Sequence, residues 1–188
     1  LTMEPRRLEF GNIGNFYIVQ GFFKELRRVF GLNVQIKTTL QLEEDFLSRF
    51  NLVQLPIECY ASGRINDAEI ARAELASAES GDVDTEFLRE VVSADLVLDF
   101  SGDIWGSNAD LLAENRFATG CYKNLAVKAL GKRQALMASS PGPFNDEHLA
   151  LASRAISSFD LIVNRESESA KILQAQFPTM DLPIVNGV

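Results

Sequence analysis

Short apolar segments alternate with longer helix-forming ones along this chain, and that alternation admits few folds. Strands read at 33–38, 94–100, 134–139 and 161–163, and in the closing 182–188. Between them the pattern predicts helices over 43–50, 68–78, 84–92, 108–130, 146–158 and 166–177. The run Ala94-Asp95-Leu96-Val97-Leu98-Asp99-Phe100 is nearly continuous in apolar character, the sign of a strand covered on both faces. The segment 52–63 contains Pro56 and Gly63 and reads as an irregular connection. The expected architecture is a single α/β domain: a doubly wound, mostly parallel sheet with helices on both faces.

The start of the chain adds a ligand-binding possibility to that architecture. Leu8-Glu9-Phe10 reads as a strand, Gly11-Asn12-Ile13-Gly14-Asn15 as a glycine-punctuated turn, and an amphipathic helix follows at once. Its apolar stripe is Ile18, Val19, Phe22, Phe23, Leu26, Val29 and Phe30, and Gly31 closes it. Strand, turn and helix N-terminus together bring free backbone N–H groups to the carboxyl edge of a sheet, where open α/β folds bind small anionic or hydroxylated ligands. The same glycines would also serve a tight turn and close helix–sheet packing. A nicotinamide site would need a third glycine after Gly14 and an acidic residue ending the second strand, which instead ends in Thr38-Thr39.

Composition narrows the partners. A chain of 188 residues with 46% apolar and 23% charged residues can bury a core, and its net charge of −8 argues against nucleic acid, which draws on a basic surface. No apolar run reaches the length of a membrane span, and the N-terminus lacks the basic-then-apolar order of a signal peptide. Cys59 and Cys121 fit no metal or redox spacing, so a reducing cytoplasm is the expected setting. The chain opens on Leu1 and closes on Leu182-Pro183-Ile184-Val185-Asn186-Gly187-Val188, a strand entering its next turn. The expectation is a fragment whose second half is missing, inactive alone.

Three further strand-to-helix loops carry polar residues. Ser101-Gly102-Asp103-Ile104-Trp105-Gly106-Ser107 joins small residues, one carboxylate and the only tryptophan. A carboxylate with an aromatic face suits a sugar; equally, Asp103 could bond the turn's backbone while Trp105 covers the core edge. Asp99 with Asp103 lacks a nearby histidine or third carboxylate, so no metal is expected. The second of these loops is Ser140–Asn145, with the rigid Pro141-Gly142-Pro143. The third is Asn164-Arg165-Glu166-Ser167-Glu168-Ser169, where Arg165 either pairs with a local carboxylate or holds an anion. His148 reads as a surface helix residue, and no serine, cysteine or lysine has a recognisable activating partner.

These four loops together resemble those of the polysaccharide pyruvyl transferase family. Gly11-Asn12-Ile13-Gly14-Asn15 stands where members carry Gly-Asn-x-Gly-Asp, with Asn15 in place of Asp. Ala94–Gly102 is similar to the family's Ala-Asp-Leu-Val strand and glycine-rich loop, with Ser101-Gly102-Asp103 in place of a Gly-Gly pair. Pro141-Gly142-Pro143-Phe144 resembles a Gly-Pro-Phe strand end. Arg165-Glu166-Ser167-Glu168-Ser169 resembles Arg-(Asp/Glu)-x-x-Ser before a helix. The resemblance spans nearly the whole chain but only the N-terminal half of a typical member.

That resemblance implies one half of a GT-B-like enzyme of two Rossmann-like domains, without a cofactor, in exopolysaccharide biosynthesis. Such enzymes move the enolpyruvyl unit of phosphoenolpyruvate onto sugar hydroxyls, leaving a pyruvate ketal and phosphate. The chemistry needs an acid for the methylene carbon, a base for the hydroxyl, and cations for carboxylate and phosphate. In the family these groups lie largely in the C-terminal domain. The substrate-binding positions implied here are Gly11, Asn12, Gly14, Asn15, Ser101, Gly102, Asp103 and Arg165, with Asn12, Asn15, Asp103 and Arg165 converging at one cleft mouth. Asn15 removes a negative charge from the first loop. The alternatives are a GT-B-type sugar-nucleotide glycosyltransferase domain and a non-catalytic Rossmann-like binding module.

Overall fold

The computed structural model describes residues 13–61, 64–100, 105–106, 109 and 115–186. Two compact units make up the chain, Leu1–Ser62 and Gly63–Val188. All strand pairs among the described residues are parallel, and they form two sheets, one in each unit, where the sequence pattern led to the expectation of one.

The first unit begins with α1 (Ile13–Phe30), which takes Gly14 and Asn15 into its first turn. Gly31 follows at φ 84° and donates its N–H to the Arg27 carbonyl, the left-handed termination expected of a glycine there. The buried stripe is narrower than the apolar spacing suggests. Val19 and Phe23 are buried, whereas Ile18, Val29 and Phe30 are exposed. Then come β1 (Ile36–Thr38), α2 (Glu44–Phe50) and β2 (Leu52–Gln54). The last lies in the stretch expected to be irregular and pairs with β1 from Ile36↔Leu52 to Thr38↔Gln54. Three residues alternate too briefly to show a period, so the strand exists through its pairing and not its pattern. Phe23, Phe46 and Phe50 stack edge-on or tilted with centroids 4.8 to 6.2 Å apart, clamping α1 to α2.

One side chain ties this unit together. The Arg27 guanidinium donates to the carbonyls of Phe50 at 3.0 Å, Asn51 at 2.6 Å and Leu32 at 3.2 Å, and to that of Val34. It serves the end of α2 and the connection from α1 to β1 at once. Asn51, in the left-handed conformation at φ 49°, ends α2 at the same point.

The second unit runs α3 (Asp67–Ser80), α4 (Glu86–Ser93), β3 (Leu96–Asp99), α5 (Arg116–Ala129), β4 (Arg133–Ser139), α6 (Asp146–Ile156), β5 (Leu161–Asn164), α7 (Ser167–Gln176) and β6 (Ile184–Asn186). Strand order is sequential, β3-β4-β5-β6, which is compatible with a Rossmann-like fold. The helix expected from 108 begins, among the described residues, only at Arg116, because Asn115 is left-handed at φ 57°. Gly120 sits buried inside α5 without breaking it.

Moving along a sheet in one direction by right-handed crossovers puts every connecting helix on the same face. The face bearing Val97, Asp99, Gln134, Leu136 and Ile162 is accordingly the helix-covered one. Gln134 Nε2 donates to the Asn124 carbonyl of α5 at 3.0 Å and to Ser158 Oγ, just beyond α6, at 2.8 Å. Leu136, Ile162, Leu173, Val127 and Ile156 form its fully buried interior. The opposite face carries Leu96, Leu161 and Val185, which are 38%, 36% and 51% exposed. Coverage on both faces, read from the apolar run at 94–100, therefore does not extend to these positions.

Helices α3 and α5 pack closely, and between them lies a buried ion pair, Lys123 Nζ to Glu74 at 2.5 Å. The lysine also sits 4.0 Å from the Phe87 ring centroid. Leu75, Ala78, Leu88 and Ala126 form one buried cluster with Phe87 packed against it, so each charge stays in the interior through its partner.

Replacing Arg27 with alanine leaves four carbonyls without their donor. The expected cost is about 2 kcal/mol, because hydrogen bonds from a charged donor exceed neutral ones. Amide exchange of 36–38 and 47–50 should accelerate while amides of β3 to β6 keep their rates. Arg27→Lys should recover only part of the protection, since one ammonium cannot span the four acceptors.

Candidate functional site

Parallel strands present their carboxyl ends at one edge, and in the second unit that edge is unusually polar for a sheet with an apolar interior. Asp99 ends β3, Ser139 ends β4 and Asn164 ends β5, and all three are buried. Asp99 Oδ2 accepts from Asn124 Nδ2 at 2.6 Å and from Trp105 Nε1 at 3.3 Å. It thus fastens the loop after β3 to α5.

Trp105 is only 1% exposed, with Phe159 and Phe117 edge-on at centroid distances of 5.3 and 6.4 Å. Of the two roles open to it, covering the core edge is the one observed; its ring offers no face to a sugar. The Trp105 carbonyl accepts from the Gly142 N–H at 2.6 Å, joining the loops after β3 and β4. Gly142 has φ +85°, and a Cβ there would lie 2.6 Å from Ile172 Cγ2 of α7. Gln176 of α7 brackets Phe144, accepting from its N–H at 3.0 Å and donating to its carbonyl at 2.8 Å. Three consecutive connections are therefore locked to one another.

Arg165 follows β5 directly and its backbone N–H donates to the Ser139 carbonyl at 2.9 Å. Its guanidinium donates to Ser140 Oγ at 2.9 Å and stands 3.6 Å from the Glu166 carboxylate. Ser140 Oγ in turn donates to Glu166 Oε2 at 3.0 Å, and Ser169 Oγ donates to Glu166 Oε1. Of the two uses open to Arg165, pairing with a local carboxylate is the one present. Burial pushes the Glu166 carboxyl up, but the hydrogen bonds from Ser169 and Ser140 and the Arg165 charge outweigh it, leaving it below the ordinary 4.5. Lowered in this way, the Glu166 carboxylate is a weaker base than an ordinary glutamate.

The other positions implied by sequence fall differently. Gly11, Asn12, Ser101, Gly102 and Asp103 lie outside the described residues. Gly14 and Asn15 belong to the first turn of α1 in the first unit. His148 is half-buried in α6 with its ring centroid 4.7 Å from that of Phe117, so it is a packed residue more than a surface one. Among the described residues no three His, Cys, Asp or Glu side chains gather as metal ligands, and no helix is long and apolar enough to cross a membrane.

Sequence reasoning passed over Ser139 and Asn164. Ser139 Oγ and both polar atoms of the Asn164 carboxamide are buried without a hydrogen-bond partner. The available signal was a polar residue closing an otherwise apolar strand, as in Leu161-Ile162-Val163-Asn164. No protein-family model, curated protein or solved structure matches this chain.

The Glu166 clasp predicts an acid sensitivity. A carboxyl lowered in the folded state contributes stability that is complete above its unfolded value, near 4.5, and is lost as pH falls through the folded one. The melting-temperature difference between native protein and Glu166→Gln should therefore be largest near neutrality and shrink below about pH 4. A difference that stays constant with pH would show that the ionised carboxylate contributes nothing.

Proposed function

We propose that this chain is the N-terminal, acceptor-binding part of a cytoplasmic transferase of the polysaccharide pyruvyl transferase kind, one half of a GT-B-like enzyme. The observation that carries the reading is the row of hydrogen-bonding side chains ending the parallel strands: Asp99, Ser139 and Asn164, followed by Arg165. Ligands of open α/β sheets meet such an edge. The four loop motifs, in family order, support the same assignment.

The charge balance of the edge favours the sugar over phosphoenolpyruvate. Arg165 is compensated by Glu166, Asp99 is engaged by Asn124 and Trp105, and the buried groups of the edge left without a partner are hydroxyl and amide. Such groups suit a hydroxylated acceptor, which donates and accepts at the same atom. The cations needed by the donor's carboxylate and phosphate fall, on this reading, to the C-terminal part. In the reaction a sugar oxygen bonds to C2 of the enolpyruvyl group, the methylene carbon takes a proton, and phosphate leaves. A second hydroxyl closes the ketal.

The complete protein, incubated with phosphoenolpyruvate and a panel of glycosides, should release phosphate and form a ketal whose methyl singlet appears by proton NMR. Turnover of a sugar nucleotide without consumption of phosphoenolpyruvate would replace this reading with the glycosyltransferase one. Asp103→Ala should raise the acceptor KM severalfold while changing stability within about ±0.5 kcal/mol, the usual range for a loop substitution. A lower melting temperature with unchanged kinetics would assign Asp103 to its turn instead.

A further inference from the structure

A buried polar atom without a partner is costly, and here three such atoms lie side by side. Ser139 and Asn164 are both 0% exposed, and they are register partners across β4 and β5. Ser139 Oγ, Asn164 Oδ1 and Asn164 Nδ2 all lack a hydrogen-bond partner. Gln134 Oε1 is also unpaired, but the Nε2 of the same side chain has three acceptors. Ser139 and Asn164 have no such compensation, and they sit at the ligand edge of the sheet.

A second observation concerns the strand itself. The register between β4 and β5 shifts between Leu136 and Ser139, three residues on one strand against two on the other. Side chains alternate along a strand, so without the bulge Ser139 would face away from the helix-covered side. The shift turns it onto the face that carries Asn164. Bulges re-aim side chains in this way beside functional sites.

One residue further on, the segments leaving β4 and β5 are bridged by a clasp of polar side chains. Ser140 Oγ links Arg165 and Glu166, whose side chains are 47% and 43% exposed. Half-exposed ion pairs hold weakly, so the clasp can part at small cost.

We infer that Ser139 and Asn164 form a subsite for one hydroxyl group of a neutral, polyhydroxylated ligand, reached by parting the Ser140–Arg165–Glu166 clasp. The inference rests on the acceptor-sugar reading above and names where the sugar is held. A serine hydroxyl and a carboxamide offer donors and acceptors together, and a hydroxyl is the ligand group that answers both. An anion is disfavoured, because the adjacent cation, Arg165, already faces Glu166. A site built to bond a hydroxyl leaves its own buried groups unpaired when that hydroxyl is missing, which makes it selective.

The test follows the side-chain amide of Asn164 in the full 188-residue chain, labelled with nitrogen-15 and assigned by the signal missing from Asn164→Leu. Methyl glucoside, methyl galactoside and methyl mannoside are titrated separately, with inorganic phosphate as control. At least one glycoside should shift the Asn164 amide pair where phosphate does not. Asn164→Leu and Ser139→Ala should each weaken that glycoside about tenfold, the loss of one hydrogen bond. The leucine should also keep or raise the melting temperature, since it removes unpaired atoms from the interior.

A glycoside that binds by calorimetry without moving the Asn164 amide, and binds both variants equally, overturns the subsite and leaves the acceptor reading standing. Cross-relaxation to a long-lived water that no glycoside displaces overturns it too, leaving a buried water as the only occupant. If no glycoside binds at all, both readings fall. Should Asn164→Leu not fold, triple-resonance spectra of the native chain assign the Asn164 amide, and its titration decides together with Ser139→Ala.

Discussion

Parallel pairing in sequential order is the constraint on which the second unit depends. Each strand must be re-entered from the same end, so a helix crosses between every pair, and right-handed crossovers stack α5, α6 and α7 on one face. Two consequences follow from that single geometry. All strand carboxyl ends reach one edge, which gathers Asp99, Ser139 and Asn164 from segments far apart in sequence. The interior face takes nearly all the deep burial, while the other keeps Leu96, Leu161 and Val185 partly exposed.

The interior of this unit is not uniformly apolar, and its polar members do different physical work. Gln134 joins β4 to the end of α5 and to the residue after α6 through three bonds from one amide. Asp99 gathers Asn124 and Trp105, and the Glu74–Lys123 pair sits where α3 meets α5. In each case a buried donor finds its acceptor, as a low-dielectric interior demands. Ser139 and Asn164 stand apart because no polar atom of either side chain finds a partner, and they lie at the edge where ligands approach.

Among the described residues around α7, opposite charges are paired. Glu166 answers Arg165, and Glu168 answers Lys171 at 3.0 Å, so the loops around α7 present hydrogen bonds more than net charge. With a chain total of −8, a ligand with several negative charges gains little from this side. The loops are also mutually braced, through the Gly142–Trp105 backbone bond and the Gln176–Phe144 bracket. Bracing of this kind holds recognition groups in place by hydrogen bonds and packing.

Much of the element order was legible in the sequence, because period and punctuation are local properties. The apolar runs at 134–139 and 161–163, the glycine after Phe30 and the start of α3 after Asn66 each follow from a few neighbouring residues. Three features were not legible. The strand Leu52–Gln54 has too few residues to show alternation and exists only because β1 lies beside it. The exposure of Val29, Phe30 and Leu96 depends on which elements pack nearby, which no periodicity records. The partners of Trp105 and Arg165 were open from sequence, since one spacing serves either a ligand or a neighbour; folding chose Asp99 for the first and Glu166 with Ser140 for the second. The sequence by itself determined a parallel α/β chain with polar strand ends. The tertiary structure alone decided that a bulge would set Ser139 beside Asn164, because register is a relation between two strands and not a property of either.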